Sequence, residues 1–265
     1  MNATSATAVI TGASSGIGAA YARRLASQGR NVTVIARREP ELRALATDLR
    51  RRFDVEATVV AADLLTPDGV DSVASLLTKE PVDWLINSAG FAVPGAFDQV
   101  PLDHALGMIG LHILAAVRLS HAVLPGMITA GRGRIVNLGS IGAFLPRPGD
   151  ATYCATKAYL VMFSRALKAE LVGTGVQVQA LCPGFTHTDF YHRPAYSGYD
   201  VDTAVPRELW MSPEDVVAAS QKAFGRNRPV CIPGIQNRVL VLITRLGLGD
   251  VLVKRLDSRL PGLRA

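Results

Sequence analysis

Short apolar runs alternate along the chain with longer stretches in which apolar residues recur every three to four positions. Short runs of this kind predict strands, and the longer periodic stretches predict amphipathic helices. The predicted strands are Ala6–Thr11, Asn31–Ala36, Glu56–Ala61, Val82–Asn87, Arg134–Leu138, Val176–Leu181 and Val230–Ile232. The predicted helices are Gly16–Gln28, Pro40–Phe53, Pro67–Glu80, Leu102–Ala130 with an early break, Tyr153–Val172 and Pro213–Phe224.

This order of elements predicts an α/β fold. Strands that alternate with helices form βαβ units, and nearly all-apolar strands are expected where both faces of a parallel sheet are covered. Right-handed crossovers then give a doubly wound, Rossmann-type parallel sheet flanked by helices. No internal repeat, low-complexity segment or linker interrupts the 265 residues, so we expect a single domain over 1–265.

Composition and charge narrow the class of protein. The chain is 49% hydrophobic and 19% charged, which is enough apolar surface for a large core. The net charge is +6, but the segment from Ile235 onward carries six basic and two acidic residues and so accounts for +4 of it. A basic tail without a recognisable reading module does not predict nucleic-acid binding.

The cysteines and the apolar runs indicate in which cellular compartment the protein is found. Cys154, Cys182 and Cys231 are an odd number at scattered spacing, which predicts neither a disulfide framework nor a metal site. We therefore expect a reducing cytoplasm. The N-terminus lacks the basic region that opens a signal peptide, and no run of about 18 uncharged apolar residues predicts a membrane-spanning helix.

A glycine-rich segment connects the first predicted strand to the first predicted helix. It reads Gly12-Ala13-Ser14-Ser15-Gly16-Ile17-Gly18. Gly12 permits a tight turn, Gly16 lets backbone amides approach a phosphate, and Gly18 lets the helix pack against the strand. A glycine loop alone is weak evidence, but its place between a strand and a helix predicts a dinucleotide pyrophosphate site.

The end of the second predicted strand indicates which dinucleotide binds. A site selective for NAD places an acidic residue there, but this chain has Ala36 followed by Arg37 and Arg38. An arginine can bond a 2′-phosphate with a charge-assisted hydrogen bond of about 1.5–3 kcal/mol, so we predict NADP(H). Two solvated arginines at a helix start are the alternative, which fits Arg38 more readily than Arg37.

Three polar residues predict acid–base chemistry near this loop. Tyr153 and Lys157 lie one helical turn apart, and Ser140 follows the strand that ends at Leu138. Ligands bind at the carboxyl ends of strands in open α/β sheets, so these residues can converge on the cleft of the glycine loop. Reduction of a carbonyl by hydride leaves an alkoxide that needs a proton. Tyr153 can supply it, Lys157 can lower the tyrosine pKa, and Ser140 can donate to the carbonyl oxygen.

These motifs together resemble those of the short-chain dehydrogenase/reductase family over nearly the whole chain. The matching pieces are TGASSGIG, AADL around Asp63, NSAG from Asn87 to Gly90, Ser140, the Y-x-x-x-K of Tyr153 and Lys157, and CPGFTHT from Cys182 to Thr188. The resemblance implies that Tyr153 is the general acid/base, that Lys157 binds the nicotinamide ribose and tunes Tyr153, and that Ser140 orients the substrate. With the loop and the arginines, the predicted cofactor residues are Gly12, Ser14, Ser15, Gly16, Ile17, Gly18, Arg37, Arg38, Asp63 and Leu64, then Asn87, Ala89 and Gly90 on the adenosine side, and Tyr153, Lys157, Pro183, Gly184, Thr186 and Thr188 at the nicotinamide end.

Two positions depart from the family pattern. Ser88 stands where the family usually has asparagine, which is a mild change. His112 stands where family members usually carry an asparagine that supports a water in a proton relay to the lysine. We include His112 among the catalytic residues, since its backbone can support that water and its ring can carry protons. A packed histidine without a role is the alternative.

The resemblance also implies a substrate lid over 185–210. Six of the sixteen aromatic residues lie there, namely Phe185, Phe190, Tyr191, Tyr196, Tyr199 and Trp210. Their concentration predicts an apolar or aromatic substrate pocket, although rings that only pack the lid onto the body are an alternative. The basic helical tail over 235–265 could close the pocket, join the subunits of a homo-oligomer, or lie on an anionic membrane.

We therefore expect an enzyme that uses NADP(H) to interconvert a carbonyl and an alcohol, with reduction as the favoured direction. The substrates considered are lipid-like ketones, 3-oxoacyl thioesters and ring ketones such as steroids. A catalytically inactive NADP-binding regulator is one alternative, and the intact Ser140, Tyr153 and Lys157 count against it. A sugar-nucleotide epimerase is another, and the short region after Pro183 counts against that.

Overall fold

Seven parallel strands form one sheet in the order β3-β2-β1-β4-β5-β6-β7. The computed structural model describes residues 7–197 and 201–248. The strands are β1 Thr7–Thr11, β2 Val32–Ala36, β3 Ala57–Ala61, β4 Val82–Asn87, β5 Gly133–Leu138, β6 Val176–Leu181 and β7 Val230–Cys231. The predicted fold class, a doubly wound Rossmann-type sheet flanked by helices, is confirmed.

The helices follow the predicted order with shifted ends. Within the described residues they are α1 Gly16–Ala26, α2 Glu39–Phe53, α3 Pro67–Leu77, α4 Leu102–Ile109, α5 Ala115–Thr129, α6 Ala151–Glu170, α7 Val201–Ala204, α8 Pro213–Phe224 and α9 Ile235–Ile243. A π-helical turn, Gly110–Leu114, joins α4 to α5 and contains His112. The early break predicted in this region is therefore a π-helical turn inside a continuous helical stretch. Ala6, Tyr199 and residues 249–265, which the sequence-based predictions include, lie outside the described residues.

The sheet separates two apolar cores. On one face α1, α2 and α8 pack around the buried side chains of Tyr21, Leu25 and Leu42. On the other face α3 and α5 pack around Leu85 and Leu119. Because both faces are covered, β1, β2 and β4 bury nearly all of their residues, as their apolar runs predicted.

The strand order reverses between β1 and β4, which are neighbours in the sheet. The loops after these two strands leave the sheet in opposite directions, so a crevice opens at their carboxyl ends. The glycine loop follows β1, the NSAG segment follows β4, and Ser140 follows β5. The topology alone therefore gathers the predicted site residues around one crevice.

The helical stretch Leu102–Thr129 is long and apolar enough, by length and composition alone, to cross a membrane. This differs from the expectation from sequence, which considered only uncharged runs. The inner face of the stretch is buried against the sheet through Leu119, Val123 and Met127. Packing in the core of an α/β domain accounts for the buried apolar residues of the stretch.

Candidate active site

The glycine loop turns tightly and places the start of α1 at the crevice. Gly12 (φ +66°) and Gly16 (φ +56°) adopt left-handed conformations that other residues rarely take. A side chain at Gly18 would collide with the Gly12 carbonyl, because α1 packs directly against the end of β1. The amide groups in the first turn of a helix lack partners within the helix, so this end of α1 suits a phosphate.

Both predicted arginines lie at the rim of a cavity beside this loop, which Asp63 and Leu64 also line. Arg38 crosses to the loop, where its Nη2 donates to the Ser14 and Ser15 hydroxyls at 3.0 Å each. Arg37 pairs with Asp63 at 3.9 Å and is largely exposed. Arg38 is therefore the arginine in contact with the loop, although the sequence alone made it the more readily solvated of the two.

Ser140, Tyr153 and Lys157 converge where β5 ends and α6 begins. Ser140 forms a side-chain hydrogen bond with Tyr153, and its Oγ accepts from the Gly142 amide at 3.0 Å. Lys157 Nζ donates to the Leu138 carbonyl at 2.8 Å and lies 5.5 Å from the centre of the Tyr153 ring. All three side chains line one cavity with the glycine loop and with Pro183, Gly184, Thr186 and Thr188. The structure thus brings together the residues predicted to act together, and their roles stay predictions.

Burial sets the protonation of this group. It raises the pKa of Tyr153, and Tyr191 adds to the rise, while the hydrogen bond with Ser140 opposes it. Burial also lowers the pKa of Lys157 to about 8. Burial is the largest influence on the Tyr153 pKa in the protein alone, and the tuning of that pKa by Lys157 stays a prediction. Tyr153 is therefore a protonated phenol, the form that can donate a proton.

His112 is buried and held on both sides of its ring. Its Nε2 accepts from the Phe91 amide at 3.2 Å, so the ring proton is on Nδ1, which donates to Thr156 Oγ1 at 2.8 Å. Thr156 in turn donates to the Tyr153 carbonyl at 2.8 Å. This series of hydrogen bonds joins the loop after β4 to the turn of α6 that carries Tyr153.

The pKa of His112 bears on its predicted catalytic role. Burial, and then the charge of Lys157, lower this pKa well below 6.5. The lowered pKa favours the neutral ring across the neutral pH range, and proton transfer by His112 stays a prediction. The buried ring agrees with the alternative of a packed histidine. Its hydrogen bonds to Phe91 and Thr156 also join two parts of the site.

Asn87 also differs from its expected place. Its side chain is buried and donates to Asn137 Oδ1 at 2.8 Å and to Ser120 Oγ at 3.2 Å. It lines neither of the two cavities beside the glycine loop, which are lined from this segment by its neighbours Ser88, Ala89 and Gly90. Because successive strand residues point to opposite sides, the last residue of β4 turns into the core while the next ones reach the crevice.

A further cavity opens on the other side of Ser140 and Tyr153, under the predicted lid. Its walls include Leu145, Phe185, Phe190, Tyr191, Tyr196, Val205, Leu209 and Leu240. One ion pair interrupts these apolar walls, between Arg147 and Asp150 at 2.6 Å. Burial raises the pKa of the Asp150 carboxyl against the attraction of Arg147. An aromatic-walled cavity therefore lies where the sequence predicted one, and Leu240 of α9 helps to close it.

The sequence-based predictions missed Arg193, Arg147 and Asp150. Arg193 lines both cavities beside the glycine loop, and its Nη1 donates to the Gly90 carbonyl at 3.0 Å. An arginine among the aromatic residues of the predicted lid was an available signal. Arg147 and Asp150 carried no such signal, because charged residues beside prolines and glycines usually lie in exposed turns.

The family model for short chain dehydrogenases matches the chain over residues 6–195. The match spans the glycine loop, Ser140, Tyr153, Lys157 and the first part of the predicted lid. The chain therefore belongs to the short-chain dehydrogenase family, as its motifs predicted.

Two solved structures are similar to the chain over most of its length. A short-chain dehydrogenase from Sphingobium yanoikuyae in complex with NADPH is 37% identical with a TM-score of 0.81, covering 92% of this chain and 95% of that one. A bulky-bulky ketone specific alcohol dehydrogenase from Comamonas testosteroni is 33% identical with a TM-score of 0.77, covering 93% of this chain and 94% of that one.

One relative, from Homo sapiens, is named as an inactive protein. The protein called inactive hydroxysteroid dehydrogenase-like protein 1 is 36% identical over 195 residues, which is 70% of this chain. The same match covers 59% of that relative, so the chain spans less than two thirds of its length.

Proposed function

We propose that the protein is an NADP(H)-dependent oxidoreductase that interconverts a carbonyl and an alcohol on a large apolar substrate. The observation that carries this proposal is the convergence of Ser140, Tyr153 and Lys157 on one cavity with the glycine loop. Membership of the short-chain dehydrogenase family supports it. The raised pKa of Tyr153 keeps it as the phenol, which is the form that a reduction requires.

Each of the three side chains has a task in this proposal. Tyr153 donates its phenolic proton to the substrate oxygen, a contribution of about 10²–10⁴ in rate for a well-placed general acid. Ser140, already bonded to Tyr153, donates to the same oxygen as negative charge develops on it. Lys157 is fixed by the Leu138 carbonyl, and its ammonium stabilises the phenolate that remains. A reduced nicotinamide, when bound, supplies the hydride.

The residues around the glycine loop fit a phosphorylated dinucleotide. The first turn of α1 offers unpaired amide groups, and the neighbouring cavity is rimmed by Arg37 and Arg38. In this proposal the two arginines bind the 2′-phosphate and make NADP(H) the preferred cofactor. The presence of NADPH in the similar Sphingobium yanoikuyae structure supports this choice.

The cavity under the lid supports a bulky ketone as substrate. Its walls are mainly aromatic and aliphatic, and apolar walls with few polar groups are typical of sites for apolar small molecules. The similar Comamonas testosteroni enzyme is described as specific for bulky-bulky ketones, in agreement with such a cavity. Lipid-like ketones, 3-oxoacyl thioesters and ring ketones are the classes proposed for this site.

A second candidate function is NADP(H) binding without turnover. The similarity to a relative named inactive hydroxysteroid dehydrogenase-like protein 1 favours it. The presence of Ser140, Tyr153 and Lys157 in hydrogen-bonding positions counts against it, because a binding protein needs none of the three for proton transfer. Turnover of any carbonyl compound separates the two candidates.

Assembly and location complete the proposal. The α4–α5 stretch and α6 are neighbours and carry exposed apolar side chains, namely Leu106, Ile109, Leu114, Tyr159 and Met162. We propose that they join subunits of a homo-oligomer, so Met162→Lys should reduce the molar mass measured by light scattering.

The free thiols of Cys154, Cys182 and Cys231 support a cytoplasmic location.

A panel of ketones and alcohols, followed by NADPH absorbance, tests the proposed function. The panel contains acetophenone-type ketones, long-chain 2-alkanones, a 3-oxoacyl thioester and a steroid ketone. We expect NADPH consumption with the bulky ketones and little with acetone, which is too small to fill the cavity. Tight NADPH binding without turnover of any compound would instead favour the second candidate function.

A further inference from the structure

The two cavities beside the glycine loop meet at a small group of residues. Gly12, Ser14, Gly90 and Arg193 line both cavities. One cavity continues to Tyr153 and Lys157, and the other continues to Arg37 and Arg38. A dinucleotide that occupies both cavities therefore passes this junction with the pyrophosphate that links its two halves.

Arg193 is the cation of this junction. It projects from the lid, donates to the Gly90 carbonyl at 3.0 Å, and has its guanidinium 5.7 Å from the centre of the Phe190 ring. Arg37 pairs with Asp63, and Arg38 pairs with Glu41 and Asp189. Among the described residues, Arg193 forms no such ion pair.

The surroundings of Arg193 favour an anion. Burial, and then the charges of Arg38 and Arg37, lower its pKa, while the charge of Asp189 acts in the opposite direction. A half-buried cation therefore lies close to two others, an arrangement that a bound anion would stabilise. A guanidinium offers several N–H donors in one plane, and within the described part of the chain the Gly90 carbonyl is the one acceptor that Arg193 contacts.

We propose that Arg193 binds the pyrophosphate of the cofactor from the lid side, opposite the amide groups of the glycine loop. The inference rests on the proposed function, because it requires a dinucleotide in the crevice. A pyrophosphate lies at the start of the helix that follows a loop of this kind, and α1 begins at this junction. The guanidinium then exchanges the Gly90 carbonyl for phosphate oxygens, which it can bind with two parallel hydrogen bonds.

This exchange links cofactor binding to the lid. Arg193 belongs to the segment whose Phe190 and Tyr191 form walls of the cavity under the lid. A cofactor that binds Arg193 therefore also fixes those walls, so the substrate cavity takes its final shape after the cofactor binds. The pyrophosphate is common to NADP and NAD, which separates this role of Arg193 from that of Arg37 and Arg38.

Calorimetric titration of the full-length protein with NADP⁺, NAD⁺, ADP and AMP tests the proposal. Arg193→Met should weaken the binding of NADP⁺, NAD⁺ and ADP by a similar factor of about tenfold to a hundredfold. It should leave the affinity for AMP nearly unchanged. The affinities of Arg193→Lys should lie between those of the wild type and Arg193→Met, because a lysine keeps the charge and loses the planar guanidinium. Arg207→Met, at an exposed arginine of the same lid, is the matched control and should bind all four as the wild type does.

Trp210 gives a second readout. It packs on Phe185 and Tyr191 in the lid, so its fluorescence should change when NAD⁺ saturates the wild type. The change should be smaller in Arg193→Met at the same saturation, because the link between cofactor and lid is lost.

The outcomes separate the two proposals. If Arg193→Met binds NAD⁺ and ADP with the same affinities as the wild type, the proposed role of Arg193 is overturned and the proposed function still stands. A loss confined to NADP⁺ would also overturn it, since Arg193 would then bind the 2′-phosphate. Failure of the wild type to bind either dinucleotide would overturn both proposals.

Discussion

His112 accepts a hydrogen bond from the backbone amide of Phe91 at 3.2 Å, and this bond ties the π-helical turn between α4 and α5 to the loop that borders the crevice. The same ring donates to Thr156, whose hydroxyl donates to the carbonyl of Tyr153. A neutral histidine is suited to this task, because one ring nitrogen must accept while the other donates.

His112→Asn should retain activity and leave the pH–rate profile unchanged between about pH 6 and 8. The asparagine amide can also accept from Phe91 and donate to Thr156, and the histidine it replaces does not titrate in that range. His112→Leu should lower activity, because it leaves the Phe91 amide and Thr156 without their partner. Loss of one limb of the profile in His112→Asn, measured as kcat/KM against pH, would contradict a structural role.

Acid should destabilise the wild type through the same residue. Because the folded pKa of His112 is lowered, the unfolded chain takes up a proton below about pH 6.5 that the folded chain does not. The stability that this group contributes is therefore present above that pH and is lost as the pH falls, by up to about 1.4 kcal/mol per pH unit.

Urea unfolding of wild type and His112→Asn at a series of pH values measures this term. The free energy of unfolding should fall more steeply toward acid in the wild type than in the variant. His104→Asn, at an exposed histidine of α4, is the control and should keep the wild-type slope. Equal slopes in wild type and His112→Asn would show that the buried histidine takes up its proton without unfolding.

Arg38→Ala should lower the preference for NADP(H) over NAD(H) by about tenfold or more. The substitution removes a guanidinium bonded to Ser14 and Ser15 at the rim of the crevice. Arg37→Ala should act in the same direction. Arg43→Ala removes an exposed arginine that pairs with Glu39 on α2, and it should leave the preference unchanged. The ratio of the two dissociation constants is the measurement, and a ratio unaffected by both substitutions would assign the 2′-phosphate to other residues.

The sequence predicted the sheet because its strands are apolar on both faces and its helices are periodic. It also predicted the convergence of Ser140, Tyr153 and Lys157, because strand ends in a parallel sheet meet at one edge. It did not predict the pKa of Tyr153 or His112, since both depend on burial by segments distant in sequence. The sequence also did not predict the contacts of Arg38 and Arg193 or the Arg147–Asp150 pair, because the partners of long side chains depend on how the folded backbone brings segments together.

NADPH consumption by Tyr153→Phe, with a bulky ketone that the wild type reduces, tests whether Tyr153 supplies the proton to the substrate. The ring still packs in the variant, but the proton donor beside Ser140 is gone. Tyr159→Phe, at an exposed position on the same helix, is the matched control and should keep wild-type turnover. We predict that Tyr153→Phe binds NADPH as the wild type does and loses turnover by about 10²–10⁴ or more. Turnover by Tyr153→Phe close to that of the wild type would contradict the account, because another group would then supply the proton.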